Sequence, residues 1–204
     1  MSTNPRTKEE LLADLPQPWP REEAVLSNGT LSIRVATPTA ESAEPTVFIH
    51  GLGGSSTNWT DLMALLRDDC DGVAVDLPGH GWSPPPRDGD YSPIRSAETI
   101  AELIATRFDG RPAHVFGNSM GGAVALQLAA RHVDLVRTLT LVSPALPKIG
   151  VRRSNAHLPV IATPGVGMSL YRRYLALDPA MRARATVDVC FADPNSVPPE
   201  RMDQ

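Results

Sequence analysis

The sequence predicts an α/β fold with a mostly parallel sheet, and two patterns carry this prediction. Short, continuous apolar runs recur at residues 47–49, 73–75, 114–116 and 139–142. Runs of this kind are typical of strands that are buried on both faces of a parallel sheet. Segments with helical spacing separate the runs. Because strands that alternate with helices form βαβ units, their strands are expected to be parallel.

The individual elements follow from local spacing. Apolar residues stand at i, i+3, i+4 and i+7 in 59–66 and recur every four residues in 100–108, which predicts two helices. Residues 123–130 are almost wholly small and apolar, as in a helix buried against a sheet. Before the first buried strand, the Asn28-Gly29 step precedes alternating apolar residues and predicts an N-terminal β-hairpin.

Composition shifts divide the chain into three predicted parts. Residues 1–23 are polar and proline-rich and are expected to form a flexible N-terminal segment. Residues 24–147 hold the strand and helix pattern of the core. Residues 148–204 are punctuated by prolines and are expected to form a helical lid or cap segment. Its apolar residues are expected mainly to pack together, with a role in an apolar substrate pocket as the alternative: Met168, Leu170, Tyr171, Tyr174 and Leu175.

Charge and cysteine content restrict the function classes. The 204 residues carry a net charge of −4, which argues against a nucleic-acid-binding protein. The sequence has no apolar run near the roughly 20 residues that a membrane helix needs, and no signal-peptide-like apolar core. Cys70 and Cys190 are the only cysteines and are expected to be reduced. A cytoplasmic location is therefore expected.

A nucleophile motif stands between one predicted strand and the next predicted helix. Residues 117–121 read Gly-Asn-Ser-Met-Gly, with Ser119 at the centre. A tight strand-to-helix turn exposes a serine, holds it rigidly and places it at a helix N-terminus, where a developing oxyanion is stabilised. Gly117 and Gly121 leave room where the turn is crowded. The Met120 N–H is the expected first oxyanion donor.

Two further motifs follow the first two predicted parallel strands. Residues 50–54 read His-Gly-Leu-Gly-Gly, and residues 76–83 read Asp-Leu-Pro-Gly-His-Gly-Trp-Ser. A dinucleotide-binding glycine loop is excluded for the first motif, because Ser56 occupies the place of the third glycine. Together with the Ser119 motif, these residues closely resemble the α/β-hydrolase fold family over roughly residues 24–145. The Ser119 motif is also similar to that of carbon–carbon-bond hydrolases and related esterases.

The resemblance implies roles for the remaining motif residues. It implies that the loop of His50 and Gly51 supplies a second oxyanion donor, expected at the Leu52 N–H with Gly53 as its neighbour. His50 is expected to shape this loop, with a role as a base as the alternative. Asp76 and His80 are expected to brace the turn after their strand by hydrogen bonds to the backbone. The resemblance implies no metal or organic cofactor.

A base and an acid to complete a serine triad are not found where this family's pattern requires them. In this fold the acid and then the histidine follow the nucleophile. His132 stands roughly 20 Å along the helix from Ser119, and His157 belongs to the lid segment. The run at 139–142 would also form an uncovered sheet edge, which could pair with another chain. These residues are therefore expected to be the front part of a longer hydrolase.

The sequence predicts a hydrolase that acts through an acyl-Ser119 intermediate on a small, apolar ester or related carbonyl substrate, including carbon–carbon bonds. Two alternatives stay open. The chain could be an inactive binding module, or a half-enzyme that needs a complementary chain. The same scaffold could instead catalyse acyl transfer or perhydrolysis.

Overall fold

The computed structural model describes residues 18–146, 163, 165–190 and 193–197. The chain divides into two compact units, Met1–Leu146 and Pro147–Gln204. The predicted flexible segment falls partly outside the described residues, since 1–17 are not among them.

The first unit contains a six-stranded mixed sheet whose central strands are parallel. Its strand order is β1-β2-β4-β3-β5-β6, with β1 and β2 antiparallel to their neighbours. The predicted α/β fold with a mostly parallel sheet and an N-terminal hairpin is confirmed. The strands are β1 (Arg21–Leu26), β2 (Gly29–Ala36), β3 (Glu44–Ile49), β4 (Cys70–Val75), β5 (Ala113–Asn118) and β6 (Val136–Val142).

The N-terminal hairpin differs from the prediction in two details. Leu26 pairs with Gly29, so the two-residue loop consists of Ser27 and Asn28, one position earlier than predicted. Gly29 follows the loop with a φ of +133°, a conformation that favours glycine. The prediction that the flexible segment extends to residue 23 is wrong for its last residues. β1 begins at Arg21, and the Trp19 indole donates a hydrogen bond to the Thr60 carbonyl.

Helices cover both faces of the sheet. On one face lie α2 (Pro93–Arg107) and α3 (Met120–Arg131), and their buried residues form one core with the inward side chains of the strands. On the other face, α1 (Thr60–Leu66) follows a short 3₁₀ turn at Ser56–Trp59 and packs over Phe48 and Ala74. The alternation of strand side chains between two cores explains the continuous apolar runs in the sequence.

Strand β6 lies at one end of the strand order and pairs only with β5 in the described part of the chain. Several of its side chains are exposed, including Val142 at 44%. Within these residues it is an edge strand, as the sequence predicted.

The second unit contains two described helices, α4 (Val166–Leu175) and α5 (Pro179–Cys190). The apolar residues named in the predicted lid segment all lie on α4: Met168, Leu170, Tyr171, Tyr174 and Leu175. The apolar side chains of α4 are largely exposed, including Tyr171 at 54% and Met168 at 55%. Among the residues with described positions, no helix is both long enough and apolar enough to cross a membrane.

Candidate active site

Ser119 occupies a strained turn between β5 and α3. Its backbone has φ 49° and ψ −112°, a region that residues other than glycine rarely adopt. Hydrogen bonds hold it there from both sides. The Ser119 N–H donates to the Val142 carbonyl at 3.0 Å, and the Ala145 N–H donates to the Ser119 carbonyl at 2.8 Å. The end of β6 and the residues after it thus fix the nucleophile motif.

The two motif glycines are required because backbone atoms occupy the space where a side chain would begin. A Cβ on Gly117 would lie 2.6 Å from the Gly121 carbonyl oxygen. A Cβ on Gly121 would lie 2.3 Å from the Ile49 carbonyl oxygen and 2.5 Å from that of His50. The crowding expected from the motif is present, and it joins the turn to the end of β3.

The turn leaves polar groups free for chemistry. Within the described residues, neither the Ser119 hydroxyl nor the Met120 N–H makes a hydrogen bond. The Met120 N–H belongs to the first turn of α3, where the backbone donors lack helical partners and the helix dipole is positive. This end of α3 can therefore stabilise a negative oxygen that forms near Ser119.

The loop after β3 reaches Ser119. A Cβ on Gly51 would lie 2.8 Å from the Asn118 Oδ1 and 3.2 Å from the Ser119 Cβ, so the backbone there runs directly past the motif. The Gly54 N–H closes a tight turn onto the Gly51 carbonyl at 3.0 Å, and Gly53 within it has a φ of +74°. The Leu52 N–H makes no hydrogen bond to any described residue.

His50 is fully buried and bonded to the backbone through both ring nitrogens. Its Nε2 accepts from the Leu77 N–H at 3.0 Å, and its Nδ1 lies 2.7 Å from the Gly51 carbonyl oxygen. Burial lowers the pKa of His50, against the raising effect of the Gly51 hydrogen bond. With both nitrogens engaged and the ring neutral, His50 is placed to shape the loop and not to take the Ser119 proton.

Asp76 braces the loops after β3 and β4, as expected. Its buried carboxylate accepts from the Ser56 N–H at 2.6 Å and from the Trp82 N–H at 3.0 Å. Burial alone would raise the pKa of Asp76, but these hydrogen bonds outweigh it and hold the pKa below its usual value. His80 packs against His50 with 5.2 Å between ring centroids, and its Nδ1 lies 3.2 Å from the Pro78 carbonyl oxygen.

The other described histidines are engaged away from Ser119. His132 follows the far end of α3, and its Nε2 lies 2.9 Å from the Glu98 carboxylate in a groove that Ser27 and Glu102 also line. This pair has the composition of a base with an orienting acid, but the length of α3 puts it roughly 20 Å from Ser119. His114 contacts the Thr138 hydroxyl at 2.6 Å. His157 lies outside the described residues.

Sequence reasoning missed two supporting side chains. The Asn118 amide donates to the Val142 carbonyl at 3.1 Å, beside the bond from the Ser119 N–H. The Ser83 hydroxyl donates to the Asp76 carbonyl at 2.6 Å and accepts from the Ser32 N–H. Ser83 closes the Asp-Leu-Pro-Gly-His-Gly-Trp-Ser motif, so the motif held a signal for it, whereas the role of Asn118 depends on the position of β6.

Residues 44–184 match the family model of the α/β hydrolase fold. The chain belongs to this family. It is 36% identical over 134 residues to a probable lysophospholipase, BODYGUARD 4 of Arabidopsis thaliana, a match that covers 62% of this chain and 31% of that protein. It is 37% identical over 125 residues to the esterase Rv0045c of Mycobacterium tuberculosis, covering 61% of this chain and 40% of the esterase.

A solved structure with the same fold is that of Cfl2 from Burkholderia cenocepacia. Its TM-score is 0.75 at 23% identity, and the match covers 90% of this chain and 63% of that one. At this identity the likeness concerns the fold alone. The match spans less than half the length of each of the two curated relatives named above.

Proposed function

We propose that this α/β-hydrolase chain carries the nucleophile and the oxyanion hole of a serine esterase. Ser119 is the nucleophile, and the Met120 and Leu52 N–H groups are the oxyanion donors. The substrate is a small carboxylic ester with an apolar acyl group. The names of the relatives, a probable lysophospholipase and an esterase, support ester chemistry over the other reactions of this fold.

The single observation that carries the proposal is the strained backbone of Ser119 at the start of α3. Strain of this kind costs about 1–3 kcal/mol and persists where the surrounding structure enforces it. Here Val142, Ala145 and two crowded glycines enforce it. A serine with a purely structural role would need neither this conformation nor a free N–H on the next residue.

The proposed reaction follows from these positions. The Ser119 hydroxyl attacks the ester carbonyl carbon while a base removes its proton, and the carbonyl oxygen becomes an oxyanion. Its charge is stabilised by the Met120 and Leu52 N–H groups. The tetrahedral intermediate expels the alcohol, which takes the proton from the base, and water then hydrolyses acyl-Ser119.

The base and its orienting acid are proposed to come from outside the described residues. In support, the described histidines are buried against the backbone, paired with other side chains or distant from Ser119. Among the described histidines near the His50 loop, His80 alone has a ring nitrogen, Nε2, with no hydrogen-bond partner in the described part of the chain. Residues 148–204 are proposed to act as a lid segment.

The first test is labelling of the purified 204-residue chain with a fluorophosphonate, which reacts only with an activated serine. Labelling at Ser119, located by mass spectrometry, is expected if the 204 residues include the base, and it should vanish in Ser119→Ala. The matched control is Ser169→Ala, which removes an exposed hydroxyl from α4. It should be labelled like the parent chain.

The outcome separates the proposal from its alternatives. A folded chain that is not labelled would mean that these 204 residues do not hold the base, and it would favour a binding module or a half-enzyme that needs a complementary chain. If the chain is labelled, ester turnover by unlabelled chain in the presence of added alcohol or peroxide would separate hydrolysis from acyl transfer or perhydrolysis. New ester or peracid products would replace the simple acid in the latter cases.

A further inference from the structure

Ser143 follows β6 with a strained backbone, and the inference drawn from it rests on the proposed function of Ser119. Among the described residues, three that are not glycine have a positive φ: Asp109 at 52°, Ser119 at 49° and Ser143 at 46°. Asp109 lies in an exposed turn after α2, and aspartate adopts this conformation more readily than most residues. Ser143 is exposed, and its hydroxyl makes no hydrogen bond within the described chain. The surrounding structure, and not its own side chain, therefore imposes the conformation of Ser143.

Ser143 and Ser119 occupy equivalent places on neighbouring strands. β5 ends at Asn118 and β6 ends at Val142, and these two residues are partners in the parallel register. Ser119 and Ser143 are therefore the first residues after two paired strand ends. Strained backbone gathers at functional sites, where the surrounding structure maintains it. The two strained serines thus stand next to each other at the edge of the sheet that carries the proposed nucleophile.

The turn at Ser143 brings two backbone groups to Ser119. Before the turn, the Val142 carbonyl accepts from the Ser119 N–H at 3.0 Å and from the Asn118 amide at 3.1 Å. After the turn, the Ala145 N–H donates to the Ser119 carbonyl at 2.8 Å. Because both backbone bonds end on one residue, the chain must turn back within the three positions from Val142 to Ala145.

Pro144 and the start of α3 leave this turn little freedom. A proline disfavours the right-handed helical conformation in the residue before it, which here is Ser143. Pro144 also packs against the first turn of α3, because a Cβ on Gly122 would lie 2.7 Å from the Pro144 Cβ and 2.9 Å from its Cα. The path of the chain from Val142 to Ala145 is thus confined by α3, and the positive φ of Ser143 is part of that path.

We propose that Ser143 is a positioning residue for ester hydrolysis, whose left-handed backbone holds the Val142 carbonyl and the Ala145 N–H against Ser119. The strained conformation of Ser119 is thereby maintained by a second strained residue, and the Ser143 hydroxyl has no part in it. In this role Ser143 contacts neither the substrate nor the reacting atoms. A side chain that resists a positive φ should therefore release Ser119, whereas loss of the hydroxyl alone should not.

Substitutions at Ser143 separate the backbone from the hydroxyl. Ser143→Ala removes the hydroxyl and keeps the Cβ, Ser143→Gly favours a positive φ, and Ser143→Val resists it because its side chain is branched at Cβ. The matched control is Asp109→Val, which places the same side chain at nearly the same φ in an exposed turn before the other end of β5. Both valine variants carry a similar backbone cost, but only one of them lies beside Ser119.

The rate of fluorophosphonate labelling at Ser119 measures the consequence for reactivity. The Ala and Gly variants should stay within about threefold of the parent chain, whereas Ser143→Val should lose about tenfold to hundredfold, as when a reacting group is misplaced. Asp109→Val should be labelled like the parent chain. A Ser143→Val rate equal to that of Asp109→Val, or an equal loss in Ser143→Ala, would overturn the proposal.

Amide hydrogen exchange gives a readout that does not depend on reactivity. In Ser143→Val the Ser119 and Ala145 amides should exchange about tenfold faster than in the parent chain, while the amides inside β5 stay as protected as in Asp109→Val. A merely structural role would speed the exchange of all these amides together. Unchanged exchange at Ser119 and Ala145 would refute the assignment.

Two further outcomes are decided by the same amides. If the parent chain is not labelled, the 204 residues do not hold the base, and the exchange rates alone decide the role of Ser143. If Ser143→Val does not fold, the Gly and Ala variants decide it. The Ser119 and Ala145 amides should be at least as protected in Ser143→Gly as in Ser143→Ala, because glycine adopts a positive φ without strain. The reverse order would overturn the proposal.

Discussion

The two corners of the sheet that meet at Ser119 are stabilised in opposite ways. At the ends of β5 and β6 the chain is held by backbone hydrogen bonds and by the lack of side chains. Gly117 and Gly121 fit only because they carry no Cβ. At the ends of β3 and β4 the chain is held by buried polar side chains, chiefly His50 and Asp76.

Because of this difference, each corner is expected to be sensitive to a different kind of substitution. The β5 corner should fail when an atom is added, because backbone cannot move away cheaply. The β3 corner should fail when a hydrogen-bonding atom is removed, because a buried donor is then left without a partner. The variants below test the two rules in turn. All three tryptophans lie in the first unit, so their fluorescence reports the unfolding of that unit.

The largest effect is expected from Gly121→Ala. The new methyl would meet the Ile49 and His50 carbonyl oxygens at 2.3 and 2.5 Å. Since both are backbone atoms, the turn or β3 must shift, which should lower the free energy of unfolding by about 3 kcal/mol or more. The same shift should abolish labelling of Ser119. Urea unfolding followed by tryptophan fluorescence measures the first effect.

The matched control is Gly110→Ala, which lies in open space but has a φ of +73°. This substitution adds no clash and should lower the free energy of unfolding by about 1 kcal/mol, the cost of a left-handed conformation. Labelling of Ser119 should persist in this variant. If Gly121→Ala were no more destabilising than the control, crowding would not be what shapes the turn at Ser119.

A smaller loss is expected from Asp76→Asn. The carboxylate accepts from both the Ser56 and the Trp82 N–H groups, whereas an amide has only one oxygen. One buried donor then faces an NH₂ group, and the free energy of unfolding should fall by about 1–3 kcal/mol. Differential scanning calorimetry at neutral pH gives the change.

The control for this variant is Asp109→Asn. Asp109 is exposed with a φ of 52°, a conformation that asparagine also tolerates. Its stability should match that of the parent chain. An Asp76→Asn variant as stable as Asp109→Asn would show that the bridging carboxylate is not what holds the β3 corner.

The same contrast explains what the sequence could predict. The turn at Ser119 was predictable, because a turn with so little space requires glycines, and these stand on both sides of Ser119 between a predicted strand and a predicted helix. The strands were predictable because burial on both faces leaves continuous apolar runs. The start of β1 was missed, because Trp19 is ordered by a hydrogen bond to Thr60, 41 residues away, and not by any local pattern.

Roles that depend on distant partners were less predictable. Asp76 could be assigned to bracing only as a type of residue, since one of its partners, Ser56, lies on a separate loop. The support that Asn118 gives to the elbow comes from Val142, whose place beside it depends on the pairing of β6 with β5. The loop role of His50 could be predicted, but its tautomer required the position of Leu77.

The smallest expected effect is a pH dependence of stability from His50. Burial lowers the pKa of this histidine in the folded chain, whereas in the unfolded chain it is near 6.5. Below about pH 6.5 the unfolded state therefore binds a proton that the folded state excludes, and the free energy of unfolding falls as the pH decreases. In His50→Gln this contribution is absent. The variant should therefore lose less stability than the parent chain when the pH is lowered from about 7.5 to about 5.5, a range that spans the ordinary histidine pKa. The other histidines are common to both chains, so the difference between the two curves isolates His50. Parallel curves would mean that the His50 imidazole takes up its proton in the folded chain. The β3 corner would then depend less on a neutral ring than the turn at Ser119 depends on its glycines.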